Sequence, residues 1–469
     1  MSSESNRFPA AGDKAAELAA KDKQYVWHPF TQMQAYVRDN PVIVARGEGV
    51  MLYDLHGKAY YDAVSSIWLN VHGHNHSELN RALKRQVDKI AHSTLLGSSN
   101  VPAIELAERL VGITPAGLNK VFYSEDGSEA VEIALKLAYQ YWRNIGRPEK
   151  RRFITMENAY HGDTLGAMSV GAIPLFHQIF HHLLFDAIKV PYPHLYRSGY
   201  DTSAECAENC LRALDRVLAA QAEEVAALIV EPLVQGAGGI LLMPDGFLAA
   251  VAERCREHNI LLIVDEVATG FGKTGSMFAC EQDGVRPDLM ALGKGITGGY
   301  LPLAATLATD EIYEAFLGAP EEHKAFYHGH SYTGNQLACA VALANLDLFE
   351  KNRVVEGVQV KSRHVAEKLS AFAALVHVGD IRQRGLMVGI ELVADKDRQT
   401  PYPPTALIGA EVTRRGRELG ILLRPLGDVM VFMPPFSSSF EELDAMLNLL
   451  YQAIRDVTEQ GWRSGVVGR

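Results

Sequence analysis

The sequence predicts an α/β protein with a large doubly wound domain and a smaller α/β domain. Short apolar runs that suit buried parallel strands alternate with helical patterns from about residue 121 to 305. Polar residues or glycines follow the carboxyl ends of these runs, where open α/β sheets bind their ligands. No internal repeat or low-complexity linker interrupts the chain, and both ends carry further strand and helix patterns. We therefore expect the smaller domain to combine the two ends of the chain.

The expected boundaries divide the chain into three segments. Residues 66–345 form the large domain, and residues 1–65 and 346–469 together form the smaller one. Residues 1 to about 22 are polar and alanine-rich, which predicts a loosely docked helix, and residues 42–62 predict a small antiparallel sheet. The other main predictions are strands at 121–124, 153–156, 226–230, 260–264, 289–292 and 389–393 and helices at 129–144, 336–352 and 440–460.

Composition excludes several classes of function. The chain is 48% hydrophobic and 22% charged, which is typical of a globular protein. A formal net charge of −11 leaves no basic surface for nucleic acid or an acidic membrane. The five cysteines include no C-x-x-C pair, which favours a reducing compartment. Because we find neither a signal-peptide core nor an 18-residue uncharged apolar span, we expect a cytoplasmic protein.

Residues 260–300 carry the strongest signal for a cofactor. Their opening apolar run ends at Asp265, which places that carboxylate at the ligand edge of the predicted sheet. Lys294 follows 29 residues later between two glycines, which would let another molecule approach the backbone closely. A lysine at such a place can be desolvated and become nucleophilic. Pyridoxal phosphate needs an acid that keeps its pyridine nitrogen protonated and a lysine that forms a Schiff base. Taken singly, the acid could be a helix cap and the lysine a surface side chain.

Two other motifs are rejected. Residues 272–274 read Gly-Lys-Thr, like the end of a phosphate-binding P-loop, but that motif requires a glycine where this chain has Val267. His72, His74 and His76 alternate like metal ligands. No cysteine or carboxylate stands nearby at ligand spacing, so we expect no metal.

Two further strand ends carry candidate binding residues. Gly127 and Ser128 precede a long helical pattern, where free amides and the helix dipole favour a phosphate. A plain N-cap serine is the alternative. Tyr160 follows the strand at 153–156 and could lie flat on a planar cofactor, although a packing role is equally ordinary.

With these residues assembled, the chain resembles the class III pyridoxal-phosphate aminotransferases along nearly its whole length. The resemblance implies the fold type I architecture of pyridoxal-phosphate transferases and a homodimer whose active sites are shared across the interface. The matching segments are WHPFTQM at 27–33, SSIWLNVHGH at 65–74, AYHGDT at 159–164, DEVATGFGKTG at 265–275, LGKGITGGYLPLAAT at 292–306 and HGHSYTGNQLACA at 328–340.

The resemblance also implies a role for each candidate residue. Lys294 would form the Schiff base and carry the proton, Asp265 would pair with the pyridinium, and Tyr160 would complete the catalytic set. The remaining cofactor contacts implied are Gly127 and Ser128 at the phosphate, Tyr160 and Val267 on the two faces of the ring, and His330 and Ser331 reaching the phosphate from the neighbouring subunit. The substrate contacts implied are Phe30, Ile67, Trp68, Tyr160, Gly329 and Arg424, the last of which would bind a carboxylate in a bidentate manner.

Within the family, residues 27–33 and 159–164 are similar to a branch that aminates a pelargonate keto acid in biotin biosynthesis. Enzymes of that branch that use S-adenosylmethionine as the amino donor carry tyrosine at Phe30, tryptophan at Ile67 and arginine at Lys273. An indole face and a hydroxyl suit an adenosyl sulfonium, so their replacement disfavours that donor. Residues 65–74, 93–97 and 329–337 are similar to the lysine-using members of the branch, and this resemblance implies L-lysine as the donor. S-adenosylmethionine remains the alternative.

Two other readings stay open. One is a class III enzyme acting on a different ω-amine, in which Arg424 would still bind a carboxylate. The other is a silent cofactor-binding or regulatory protein. The second is weakly supported, because Lys294, Asp265 and Tyr160 are all present and no DNA-binding segment is appended.

Overall fold

A seven-stranded sheet forms the centre of the molecule in the computed structural model, which describes residues 12–39 and 41–461. Ala304–Thr309 pairs antiparallel with both of its neighbours, and the other pairings of the sheet are parallel. The sheet is therefore mixed, and this strand differs from the parallel strands that the apolar runs suggested. The strand order is Leu118–Ser124, Ala304–Thr309, Leu289–Leu292, Leu261–Asp265, Val225–Val230, Arg152–Met156 and Ile188–Val190.

Both faces of this sheet are buried, as its apolar strands predict. Leu262 and Val264 belong to one hydrophobic cluster, whereas Leu261 and Ile263 belong to another. Successive side chains of a strand point to opposite faces, so the two clusters lie on opposite sides of the sheet. This arrangement confirms the α/β fold with helices packed on a buried sheet.

The helix Gly127–Asn144 covers one face of the sheet and begins two residues before its predicted start. Asp126 explains the difference, because its carboxylate accepts a hydrogen bond from the amide of Glu129 at 3.0 Å. Glu129 in turn accepts from the amide of Asp126, which completes a capping box. The cap directs the free amides at the helix start towards the carboxyl ends of the strands.

Strands from both ends of the chain share a second sheet. Ile421–Leu422 pairs in parallel with Ala59–Asp62, at the edge of a meander that also contains Val44–Glu48 and Met51–Asp54. A further four-stranded sheet is formed by the C-terminal part of the chain alone. Its order is Val378–Arg384, Met387–Leu392, Val429–Phe432 and Pro425–Leu426. The division at residues 65/66 and 345/346 stays a prediction.

The remaining elements surround these sheets. Within the predicted N-terminal helix, residues 1–11 lie outside the described residues, and the helix that is described spans Gly12–Tyr25. None of the helices in the described ranges is both long and apolar enough to cross a bilayer. The other α-helices are Met33–Tyr36, Ser65–Trp68, Ser77–Val87, Val101–Ile113, Leu165–Ser169, Pro174–His177, Ser203–Gln221, Phe247–Glu257, Asp310–Glu314, Gln336–Lys351, Val354–Leu369, Ile408–Leu419 and Phe440–Thr458, and a short hairpin joins Val234–Gln235 to Leu241–Leu242.

Two of the alternating histidines, His72 and His74, have different hydrogen-bond partners. The Nε2 atom of His72 lies 2.9 Å from the Asn345 side-chain oxygen, and the Nε2 atom of His74 lies 2.9 Å from an Asp62 carboxylate oxygen. Burial lowers the pKa of His72 to about 4, against the opposing effect of its hydrogen bond to Asn345. These contacts account for both side chains through packing and hydrogen bonding.

Candidate active site

A cavity of about 450 Å³ opens at the carboxyl edge of the central sheet. This volume lies in the range of small-molecule sites. It brings together seven residues that the sequence analysis singled out, which are Trp68, Gly127, Ser128, Tyr160, Asp265, Val267 and Lys294.

Asp265 ends the strand Leu261–Asp265 and is almost completely buried. Its Oδ1 atom accepts a hydrogen bond from the Val267 amide at 3.0 Å. Its Oδ2 atom lies 2.7 Å from Nδ1 of His161, a residue to which the sequence analysis assigned no role. The other ring nitrogen of His161, Nε2, is buried and has no hydrogen-bond partner among the described residues. These two contacts fix the carboxylate at the floor of the cavity.

Lys294 follows the strand Leu289–Leu292 and has a left-handed backbone, with φ at +44°. Desolvation lowers the pKa of its amine, and the negative charges of Asp265 and Glu231 oppose that shift. Its Nζ atom lies 4.9 Å from the ring of Trp68. An amine with a lowered pKa spends more of its time in the neutral, nucleophilic form.

The glycines beside Lys294 serve the close packing of the chain itself. A Cβ atom on Gly295 would lie 2.8 Å from the Cβ of Phe271. A Cβ atom on Gly293 would lie 3.3 Å from the Val267 side chain. Two glycines beside a lysine predicted the close approach of another molecule, but neighbouring residues of the same chain occupy that space. The packing holds the lysine backbone rigidly against the cavity wall.

The start of the helix Gly127–Asn144 forms a second wall, and glycines set its shape. A Cβ atom on Gly127 would lie 2.4 Å from the Val267 side chain. A Cβ atom on Gly162, whose φ is +126°, would lie 2.1 Å from the Ser128 hydroxyl oxygen. That hydroxyl accepts a hydrogen bond from the Asp163 amide at 3.1 Å. Free amides and a hydroxyl at a helix start are suited to bind a phosphate.

Tyr160 also lines the cavity, and Asp163 links it to Ser128 at this helix start. Its hydroxyl donates to Asp163 at 2.8 Å, and its backbone amide donates to Glu231 at 3.1 Å. Burial, followed by the bond to Asp163, raises the pKa of the phenol, so the hydroxyl stays protonated at neutral pH. The side chain is therefore a fixed, neutral aromatic wall.

Glu231 is a second buried carboxylate in the cavity, and the sequence analysis gave it no role. Its two oxygens accept the amides of Tyr160, at 3.1 Å, and of Gly236, at 2.9 Å. Burial raises its pKa to about 7, with a lesser contribution in the same direction from Asp265 and an opposing one from His161. The position of Glu231 at a strand end was the one sequence signal that could have identified it.

Six of the predicted site residues do not line the cavity. Arg424 places its guanidinium 5.8 Å from the Phe30 ring, and burial lowers its pKa. His330 has its Nδ1 atom 2.7 Å from Glu125 of the same chain. The residues concerned are Phe30, Ile67, Gly329, His330, Ser331 and Arg424, and all except Arg424 are exposed.

The chain matches the family described as Aminotransferase class-III over residues 33–454, and it belongs to that family. Members of the family depend on pyridoxal phosphate. The residues present fit this cofactor, because the cavity offers a carboxylate, a desolvated lysine and a helix start that only glycines leave open. With the structural neighbours described next, the mixed central sheet defines a fold type I architecture.

Several similar proteins carry the same name. An adenosylmethionine-8-amino-7-oxononanoate aminotransferase of Anoxybacillus flavithermus is 54% identical, over 95% of this chain and 98% of that protein. The protein of the same name from Aquifex aeolicus is 55% identical, over 94% of this chain and 97% of that protein. Among solved structures, the enzyme of that name from Methanocaldococcus jannaschii has a TM-score of 0.90 at 48% identity and covers 94% of this chain and 99% of its own. An (S)-enantioselective omega-transaminase from Thermomicrobium roseum has a TM-score of 0.91 at 36% identity, over 95% of this chain and 99% of its own.

The contact between Gly162 and Ser128 generates a prediction. Gly162→Ala forces a side chain into a left-handed backbone and against the Ser128 hydroxyl, at a cost of about 1–3 kcal/mol. Because Ser128 is predicted to hold the phosphate, we expect cofactor affinity to fall about tenfold or more. Absorbance titration of the cofactor-free enzyme with pyridoxal phosphate measures the cofactor dissociation constant.

Gly357→Ala is the control for that variant. Gly357 lies inside the helix Val354–Leu369. Apart from its chain neighbours and the backbone of its own helix, no described atom lies within 4 Å of the added Cβ, so affinity should be unchanged. Wild-type affinity in Gly162→Ala would contradict the prediction.

Proposed function

We propose that this chain is an 8-amino-7-oxononanoate aminotransferase, which converts 7-keto-8-aminopelargonate to 7,8-diaminopelargonate in biotin biosynthesis. The observation that carries the proposal is identity of 52% to 55% with three relatives of that name over 93% to 95% of this chain. The omega-transaminase neighbours have a similar fold at lower identity, 32% to 36%. A class III enzyme for another ω-amine is therefore the second candidate, and a silent cofactor-binding protein is the third.

We assign the chemistry inside the cavity as follows. Pyridoxal phosphate, when bound, supplies an electron sink for the substrate carbon. Lys294 would hold the cofactor and would move a proton as a general base, a role helped by its lowered pKa. Asp265, held by His161 and the Val267 amide, would keep a positive charge on the pyridine nitrogen. The remaining assignments are Gly127 and Ser128 to the phosphate and Tyr160 and Val267 to the two faces of the ring.

Arg424 is the proposed carboxylate anchor for the keto acid. No ion pair of its guanidinium is found with any acidic side chain in residues 12–39 and 41–461. Burial lowers its pKa, but a guanidinium keeps its charge at neutral pH. A desolvated cation without an internal partner gains most from an incoming carboxylate. Phe30, Ile67, Trp68 and Gly329 complete the proposed substrate contacts.

For the amino donor we propose L-lysine. S-adenosylmethionine is the alternative, because the names of the relatives include adenosylmethionine. The Phe30 ring, which has no hydroxyl, packs edge-on against Phe176 at 5.3 Å. Ile67 offers an exposed aliphatic side chain in place of a second indole. Lys273 gives weaker support for the lysine donor than the sequence suggested. It is buried, bonds to the Gly270 carbonyl at 3.4 Å and does not line the cavity.

Product analysis with separate donors tests both proposals. We expect purified enzyme, pyridoxal phosphate and 7-keto-8-aminopelargonate to yield 7,8-diaminopelargonate with L-lysine and little or none with S-adenosylmethionine. Mass spectrometry of the products gives the readout. Product with S-adenosylmethionine and none with L-lysine would overturn the donor proposal.

The same experiment separates the three candidate functions. Amination of a different acceptor but not of 7-keto-8-aminopelargonate would favour another class III enzyme. Cofactor binding without product from any donor would favour the silent protein.

We also propose a cytoplasmic homodimer in which His330 and Ser331 reach the cofactor phosphate of the partner subunit. Ser331 and its neighbours Tyr327 and Tyr332 are exposed in the single chain. Exposed aromatic side chains on one loop are typical of an interface. The composition and the cysteine usage support a reducing cytoplasmic compartment.

Subunit mixing tests the shared site. Lys294→Ala and Ser331→Ala should each be severely impaired, because one lacks the amine and the other a phosphate contact. After unfolding and refolding together, mixed dimers should recover partial activity, since one of their two sites contains both wild-type residues. An active monomer in light scattering would contradict the proposal, as would a failure of two inactive variants to complement.

A further inference from the structure

Glu231 stands alongside Asp265 at the ligand edge of the sheet. Val225–Val230 pairs in parallel with Leu261–Asp265, and the register joins Val230 to Val264. The residues that follow Val230 and Val264 are Glu231 and Asp265, so the pairing of these strands places two carboxylates side by side. Glu231 is 3% exposed and lines the same cavity.

The carboxylate of Glu231 joins two loops of the cavity wall. One oxygen accepts the Tyr160 amide and the other accepts the Gly236 amide. Gly236 supports Trp68, because a Cβ atom at that position would lie 2.9 Å from the indole ring. The same ring lies 4.9 Å from Nζ of Lys294. Glu231 thus connects the loop of Tyr160 to the wall that contacts the lysine.

Glu231 also acts through its charge. Its carboxylate opposes the desolvation that lowers the pKa of Lys294. Its own pKa of about 7 reflects burial and the nearby charge of Asp265. The titratable groups that interact with it are Asp265, His161, Lys294, Tyr160 and Tyr192.

We propose that Glu231 is a positioning residue for the transamination, in which its carboxylate fixes the Tyr160 and Gly236 loops and its negative charge stabilises the protonated nitrogen of Lys294. It acts without touching a reacting atom. The inference rests on the proposed function and deepens it. The sign follows from the charge: above about pH 7 the ionised carboxylate favours a proton on Lys294, and this effect is lost as pH falls and Glu231 takes up its own proton.

Two variants of the cofactor-loaded enzyme separate these two effects. Glu231→Gln removes the charge, so the pH midpoint of the cofactor's visible absorbance should fall by on the order of one pH unit. Glu231→Asp keeps the charge but is one methylene shorter and cannot reach both amides. Its midpoint should stay near that of wild type, while kcat falls.

Glu281→Gln is the matched control. The Glu281 carboxylate also accepts a backbone amide, that of Phe278 at 3.0 Å, but it lies outside the cavity. Its midpoint and kcat should equal those of wild type. A shift in Glu281→Gln as large as that in Glu231→Gln would overturn the inference, because it would reflect general loosening of the fold.

An unshifted midpoint in Glu231→Gln would also overturn the inference. If Glu231→Gln fails to retain the cofactor, Glu231→Asp decides: a wild-type kcat contradicts the positioning role, and a lowered kcat at an unchanged midpoint supports it. A wild-type enzyme that makes no product would instead overturn the proposed function. The two failures are therefore distinguishable.

Discussion

The site depends on the burial of the Lys294 amine beside two carboxylates, those of Asp265 and Glu231. Burial disfavours the charged form of Lys294, and Asp265 and Glu231 oppose that effect. The balance holds the amine closer to neutrality than an exposed lysine, without removing its ability to take a proton. Because adjacent parallel strands end in register, the sheet supplies both carboxylates at one edge.

Close backbone packing keeps these groups in place. Val267 contacts the helix start at Gly127, and Phe271 lies against Gly295, so one segment after Asp265 positions both the phosphate wall and the lysine. A side chain at either glycine would push the walls apart. The left-handed backbone of Lys294 is maintained by this packing, since a non-glycine residue adopts that conformation only when its surroundings enforce it. Rigid elements of this kind preorganise a site for a planar cofactor.

The residues that line the cavity could be predicted because they lie at or after strand ends or at a helix start. Asp265, Tyr160 and Ser128 each stand just after a strand or at a helix start, and a parallel sheet gathers such positions along one edge. The antiparallel direction of Ala304–Thr309 was not predictable from its apolar pattern, because a buried strand has the same composition in either direction. His161 and Glu231 were not assigned because their partners are backbone amides and a carboxylate that only the folded chain brings near.

Positions outside the cavity are harder to assign from the sequence. Arg424 and Phe30 come from opposite ends of the chain, and their contact depends on how those ends pack together. Lys273 is the opposite case. Its difference from the arginine of the S-adenosylmethionine-using enzymes suggested a changed cavity, but the side chain is buried outside the cavity. Such positions can be assigned only when the distance from a residue to the cavity is known.

Reductive labelling tests the central claim most directly. Borohydride treatment of the cofactor-loaded protein fixes the cofactor to the lysine that holds it, and peptide mass spectrometry identifies that residue. The discriminating competitor is Lys273, whose pKa burial lowers to about 7, so a lowered pKa alone does not select Lys294. The account predicts label on Lys294 only. Label on Lys273, or on any lysine outside the cavity, would contradict it.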